Sequence, residues 1–309
     1  MPEWLGEFSM RAASVVVEAI PFVIVGAFVS ALLEVHLPDG LLRRIIPAGP
    51  LGLLAGALAG LVMPLCECGI VPVLRRLVRK GVPTGPAVAY LFAGPIVNPI
   101  VFASTTLAFG PQGLRMAVAR TVIGLLAAIL LGALAGRIAP AAGDLLAETG
   151  GGHGSEDHGE HKKGVVAIAI SELVEILSYL ALGAVLAAAI NVLVRPHDAF
   201  AAVAGTPALS IPVFMSLAYG LSVCSEADAF IAASFTGTSA AASFAGTPAA
   251  ALLAFLTLGP MLDVKLTLIY AKVLRRRAAL ILLPAVVVVI FLLNLAAHAS
   301  GLLPALGGR

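Results

Sequence analysis

The chain has 309 residues, 60% of them hydrophobic and only 12% charged, with a formal net charge of +2. So few charges cannot cover a soluble domain of that length, and the charge balance gives no footprint for nucleic acid. The composition describes a polytopic integral membrane protein, its bulk made of apolar runs long enough to cross a bilayer.

The first run covers about Arg11–Val35. No basic segment precedes it and it contains Glu18, so it reads as a retained helix rather than a cleaved leader. A second segment, about Pro50–Leu74, is interrupted by Gly and Pro and carries Cys66-Glu67-Cys68-Gly69. Residues i and i+2 stand about 200° apart on a helix but on one side of an extended chain. Cys66 and Cys68 can therefore hold one ligand together only if the helix is broken between them, which Pro64, Gly69 and Pro72 permit. A lone buried Cys is a small apolar residue. Two flanking a carboxylate at membrane depth point instead to a soft ion such as Zn(II), Cu(I) or a trivalent arsenical.

The run Pro83–Phe109 contains Gly94-Pro95-Ile96-Val97-Asn98-Pro99, and Arg115–Gly136 follows it. Proline frees a carbonyl one turn back, so a break with Asn98 beside it is a usual lining for an ion site; the plainer alternative is a kink satisfied by neighbouring helices. The polar stretch Ala139–Gly164 is expected to be a flexible linker. Its His153, His158 and His161 could chelate metal loosely, or simply belong to a solvated tether.

The second half opens with Val165–Val194, which contains Glu175. Next comes the Gly/Ser-rich segment Ala208–Ser234 with Cys224-Ser225-Glu226-Ala227-Asp228, whose acids could bind a cation, carry protons or cap a helix. Pro248–Lys272 holds Gly259-Pro260-Met261-Leu262-Asp263 and Lys265, a residue expected either to pair with an acid or to snorkel to the membrane surface. Ala278–His298 ends the series. Glu18, Glu67, Glu175, Glu226, Asp228 and Asp263 face Lys265 alone at membrane depth, which favours a cation or proton path. Glu18, Glu175 and Lys265 are the expected proton-coupling residues.

The halves repeat. Glu18, Phe22 and Gly26 match Glu175, Tyr179 and Gly183 at an offset of 157, Cys66 matches Cys224 at 158, and Gly94-Pro95 with Asn98 matches Gly259-Pro260 with Asp263 at 165. We expect residues 1–138 and 165–309 to form two membrane repeats around the linker 139–164. If the cysteine segments re-enter, each half has three spans and the second must be inverted. With the N-terminus outside, 13 of the 19 Lys and Arg residues then fall on the cytoplasmic side, with the linker. If the cysteine segments cross fully, there are eight spans. The fold class expected is thus all-α, two inverted repeats, each with a broken or re-entrant hairpin. There is no G-x-x-x-x-G-K-[ST] loop, so transport would be driven by a gradient.

Cys66-Glu67-Cys68-Gly69-Ile70-Val71-Pro72, Phe92-Ala93-Gly94-Pro95-Ile96-Val97-Asn98-Pro99 and Cys224-Ser225-Glu226-Ala227-Asp228 resemble the bacterial predicted-permease family that includes the ArsP organoarsenical exporters and the YraQ-type permeases. The resemblance covers about Val15–Leu295. It implies a permease of the inner membrane, an exporter of a metal or metalloid, often with a second membrane or extracytoplasmic partner. Gly259-Pro260-Met261-Leu262-Asp263 with Lys265 is closer to the YraQ/YcgR-type branch than to the arsenical exporters. The expected activity is therefore non-enzymatic: export of a soft cation through Cys66, Glu67, Cys68, Cys224, Ser225, Glu226, Asp228, Asn98 and Asp263, with no cofactor beyond the metal carried as substrate. A thiol oxidoreductase, a subunit of a multi-component exporter and a homodimer are the alternatives.

Overall fold

The computed structural model describes residues 3–36, 46–147, 165–193, 207–235 and 248–300. Among them the regular structure is helical, apart from one isolated bridge between Leu146 and Leu274. In chain order the helices are α1 (Glu3–His36), α2 (Pro50–Leu58), α3 (Ile70–Arg79), α4 (Thr84–Ala93), α5 (Pro99–Ala108), α6 (Gly113–Ile138), the single turn α7 (Ala142–Leu145), α8 (Val165–Leu193), α9 (Pro207–Leu221), α10 (Asp228–Ser234), α11 (Ala249–Leu258), α12 (Val264–Val273) and α13 (Arg276–Ala299).

Among the described residues, three helical stretches are long and apolar enough to cross a membrane: Gly110–Ile138, Val165–Ala189 and Arg276–Ala299. The two runs expected to be broken or kinked at Gly-Pro, Pro83–Phe109 and Pro248–Lys272, are each split into two ten-residue helices, α4–α5 and α11–α12. The cause is local. Gly-Pro ends the first helix of each pair, and a polar residue caps the second: Asn98 accepts from Ile100 N at 2.9 Å, and Asp263 accepts from Leu266 N at 2.6 Å.

Contacts give the helix directions. Along α2, Gly56 abuts Pro86 near the start of α4, while Gly60 abuts Val97 and Gly94 at its end. Ile70, at the start of α3, also reaches Gly94. So α2 climbs beside α4, the Cys66–Gly69 loop turns at the Gly94 break, and α3 returns to the Gly81 turn that leads into α4. The second hairpin is built alike. The Ser222 hydroxyl, after α9, donates to Tyr219 O at 3.2 Å and takes the Val264 amide at 3.2 Å beside the Gly259-Pro260 break, and Phe235, after α10, comes back to stack edge-on against Phe214 at 5.5 Å.

The beginnings of α4 and α11 lie at opposite ends of α6. Thr84 donates to the Ala139 carbonyl at 2.6 Å, just past the end of α6, whereas Ala249 and Leu253 line one groove with Leu114 and Met116 from its start. The core runs through α3, α4, α6, α12 and α13.

One boundary differs from expectation. The polar linker does not begin at Ala139, because Leu145 and Leu146 are buried. Ala147 N donates to Val273 O at 2.9 Å and Arg275 N to Leu145 O at 2.8 Å, tying this stretch to the end of α12. His153, His158 and His161 lie outside the described residues.

Candidate functional site between the two hairpin tips

The helix is broken where two-thiol ligation requires it. Residues Pro64–Gly69 form loop and turn, and α3 begins only at Ile70. The tip of the other hairpin, Ser222–Ala227, is likewise non-helical. The tips meet. Cys66, Cys68 and Cys224 are free thiols, all buried, in one cluster walled by Val23 of α1 and by Ile176 and Leu180 of α8. The Cys66 thiol lies beside those of Cys68 and Cys224, and Gly69 N donates to its sulfur at 3.4 Å.

Two glycines that match in the repeat let the walls close. A Cβ on Gly26 of α1 would run into the backbone of Gly69, and one on Gly183 of α8 would sit 2.7 Å from Lys265 Cα. Both helices therefore touch the site through bare backbone.

Glu67 is fully buried and is held from the second half of the chain. Its Oε1 accepts from Lys265 Nζ at 3.0 Å and its Oε2 from Ser225 Oγ at 3.0 Å. Ser225 Oγ also stands 3.3 Å from Glu226 Oε2. Ligand atoms of Glu67, Cys224 and Glu226 lie within 4.8 Å of one another. That spacing suits a metal ion, and the mixed thiol and carboxylate donors suit Zn(II) or a softer ion.

Lys265 does not snorkel. Its ammonium, 1% exposed, donates to Glu67 and to Ser222 O at 3.2 Å and lies 3.4 Å from Asp263 Oδ2. That last contact is an ion pair without hydrogen-bond alignment, since Asp263 Oδ2 has no hydrogen-bond donor among the described residues. Asn98 is buried as a helix cap, its Nδ2 without a hydrogen-bond partner among the described residues. Asp228 opens α10 and is bound by Arg120 of α6, NH2 to Oδ2 at 2.6 Å.

Arg120 is the residue the sequence reading missed. It is 1% exposed and also donates to Thr105 Oγ1 at 2.9 Å and to Ser225 O at 3.4 Å. The expectation that Lys265 stands alone against the acids is therefore corrected. Arg120 sits in an apolar run about two turns inside α6, near enough to the helix start to read as a surface arginine, and its partner is 108 residues away. Ser222 was missed too, for want of any signal beyond its place next to the cysteine motif.

Two expected proton-coupling residues lie apart from this arrangement or beyond it. Glu175 is gripped from α3 by Arg75, with NH1 at 3.0 and 3.1 Å and NH2 at 3.1 Å. The side chain of Glu18 on α1 lies outside the described residues.

A helical membrane protein with a polar cluster at the meeting of two broken segments is the architecture of a permease. The chain belongs to the predicted permease family ArsP_1, whose model matches residues 5–299. It is 35% identical to the protein YcgR of Bacillus subtilis over 276 residues, 85% of this chain and 87% of that one. It is also 35% identical over 259 residues, 82% of each chain, to a Streptococcus mutans protein named as a subunit of a two-component membrane permease complex. A shorter match, 33% over 111 residues, covers 35% of this chain and 32% of YraQ of Escherichia coli. No solved structure matches at a significant level.

Proposed function

We propose that this permease carries a soft, thiophilic cation, with Zn(II) or Cu(I) as the favoured class, through a site made by Cys66, Cys68, Glu67, Cys224 and Glu226. The observation that carries this reading is the convergence of Glu67, Cys224 and Glu226 donor atoms within 4.8 Å, beside two further thiols. Charge supports it. Glu67, Glu226, Asp228 and Asp263 bring four carboxylates against the two cations Lys265 and Arg120, a formal surplus suited to a divalent ion or to protons. Asn98 and Asp263 would shape the helix ends beside the path, and transport would run as export in exchange for protons. Trivalent organoarsenicals are the alternative substrate, since thiols bind them too.

The proposal includes two inverted repeats, 1–138 and 165–309, in the inner membrane, with the polar linker beyond Ala147 in the cytoplasm. The opposite starts of α4 and α11 along α6 support the inversion. The name of the Streptococcus mutans relative supports a second reading, in which the chain works only with a second membrane subunit.

The test is uptake of Zn(II) or Cd(II) into proteoliposomes. Cys66→Ser/Cys224→Ser should cut it about 10–100-fold, the scale on which loss of metal partners acts. Equal uptake by the double variant and the wild type would remove the thiol site. Uptake seen only when a partner is co-reconstituted would favour the two-component reading.

A further inference from the structure

Lys265 has the contacts of a bound cation. Its ammonium is surrounded by a carboxylate oxygen of Glu67 at 3.0 Å, the Ser222 carbonyl at 3.2 Å and a carboxylate oxygen of Asp263 at 3.4 Å. All three are oxygen donors, two of them charged. Glu67 and Asp263 are both fully buried, and two buried carboxylates need a compensating charge. The lysine backbone cannot drift, because it is packed on Gly183 of α8. Its head can move, because it ends a flexible four-carbon stem and carries a compact charge, unlike the planar guanidinium of Arg120.

Glu67 stands between two claims. Its Oε1 is held by Lys265, and one of its oxygens lies within 4.8 Å of Cys224 and Glu226. A cation bound there meets Lys265 across a single carboxylate, and the two positive charges repel at short range where Glu67 and Lys265 are both buried. We propose that Lys265 is an internal counter-cation that the substrate must displace from Glu67, leaving the ammonium on Asp263 and Ser222 O. Lys265 then sets the affinity and excludes cations too weakly bound to outcompete an ammonium. This rests on the reading of the site as a cation site.

The test is Cd(II) binding to the full-length protein purified in detergent, read by thiolate-to-cadmium charge-transfer absorption. Lys265→Met should bind Cd(II) at least about tenfold tighter than wild type, because a nearby positive charge is gone. Lys265→Arg, which keeps the charge, should not. Should Lys265→Met fold poorly, Lys265→Met/Asp263→Asn removes one charge of each sign and keeps the α12 cap; it should bind more tightly than Asp263→Asn alone. Unaltered or weaker binding in the charge-removing variants, with a wild-type band that Cys66→Ser/Cys224→Ser abolishes, overturns the role of Lys265 and leaves the thiol site standing. A band that survives Cys66→Ser/Cys224→Ser overturns the thiol site and this proposal with it.

Discussion

Arg120 and Arg75 each hold one carboxylate, and their surroundings make the two pairs unequal. The Arg120–Asp228 side chains are 1% and 3% exposed, the Arg75–Glu175 side chains 16% and 31%. Removing one partner of a fully buried pair strands a charge at a cost of about 3–5 kcal/mol. A partly exposed pair strands its charge where water can reach it, and exposed pairs are worth only about 1 kcal/mol or less. Arg120→Met should therefore lower thermal stability in detergent far more than Arg75→Met, and Arg120→Met/Asp228→Leu should recover most of the loss by removing both charges. Equal shifts for the two single variants would show that the buried pair is hydrated. At this scale the sequence was informative about acids and thiols, whose presence in an apolar segment is costly wherever they point. It was uninformative about which basic residue answers them. Glu67 and Lys265 are 198 residues apart, and neither periodicity nor charge pattern carries a pairing over that distance.

The caps of α5 and α12 put a polar residue at the same place with different charge. Asn98 and Asp263 each accept from the backbone of the first helical turn. Losing such a cap costs about 0.5–2 kcal/mol. Asp263→Asn keeps the cap and removes the charge beside Lys265, while Asp263→Ala removes both, so Asp263→Ala should be less stable than Asp263→Asn by about that amount; a thermal melt of both isolates the cap. Gly183 gives a second element-level test. Adding one methyl there forces α8 away from the α12 backbone, and overpacking of this kind costs about 1–3 kcal/mol. Gly183→Ala should be destabilised by that amount, and Gly136→Ala, whose nearest neighbour would be at an ordinary 3.5 Å, should not. The breaks themselves were legible, because Gly-Pro cannot continue a helix comfortably and Asn or Asp two or three residues on is a start signal. What the sequence did not reveal was that these breaks divide whole spans into two separate ten-residue helices. Nor did it reveal that Ala139–Ala147, which its Pro140 and Gly143 and the polar tract beyond it made pass for linker, is tied to the end of α12 through Leu145, Leu146 and backbone bonds.

The arrangement of whole helices decides whether the cysteine segments cross the membrane or turn back inside it. α6 has 26 residues and α13 has 24, or about 39 and 36 Å at 1.5 Å per residue, enough to cross a hydrocarbon core of about 30 Å. α2 and α3 have 9 and 10 residues, and each alone reaches only about half that depth. Since α2 rises beside α4 and α3 returns to its start, the ends of this hairpin share one face. That face also carries the end of α6 and the start of α13, through Thr84 on Ala139 and Arg275 on Leu145. The start of α6 and the end of α13 line one groove at the opposite face. In a background with Cys66, Cys68 and Cys224 changed to Ser, single cysteines at the exposed positions Ala48, Arg79, Arg276, Pro111 and Ser300 read this directly with a membrane-impermeant maleimide. Ala48→Cys, Arg79→Cys and Arg276→Cys should label from one side, Pro111→Cys and Ser300→Cys from the other. Labelling of Ala48→Cys and Arg79→Cys from opposite sides would mean that the first cysteine segment spans the bilayer, so that Glu67 could not meet Ser225 and Lys265 as the tip of a hairpin.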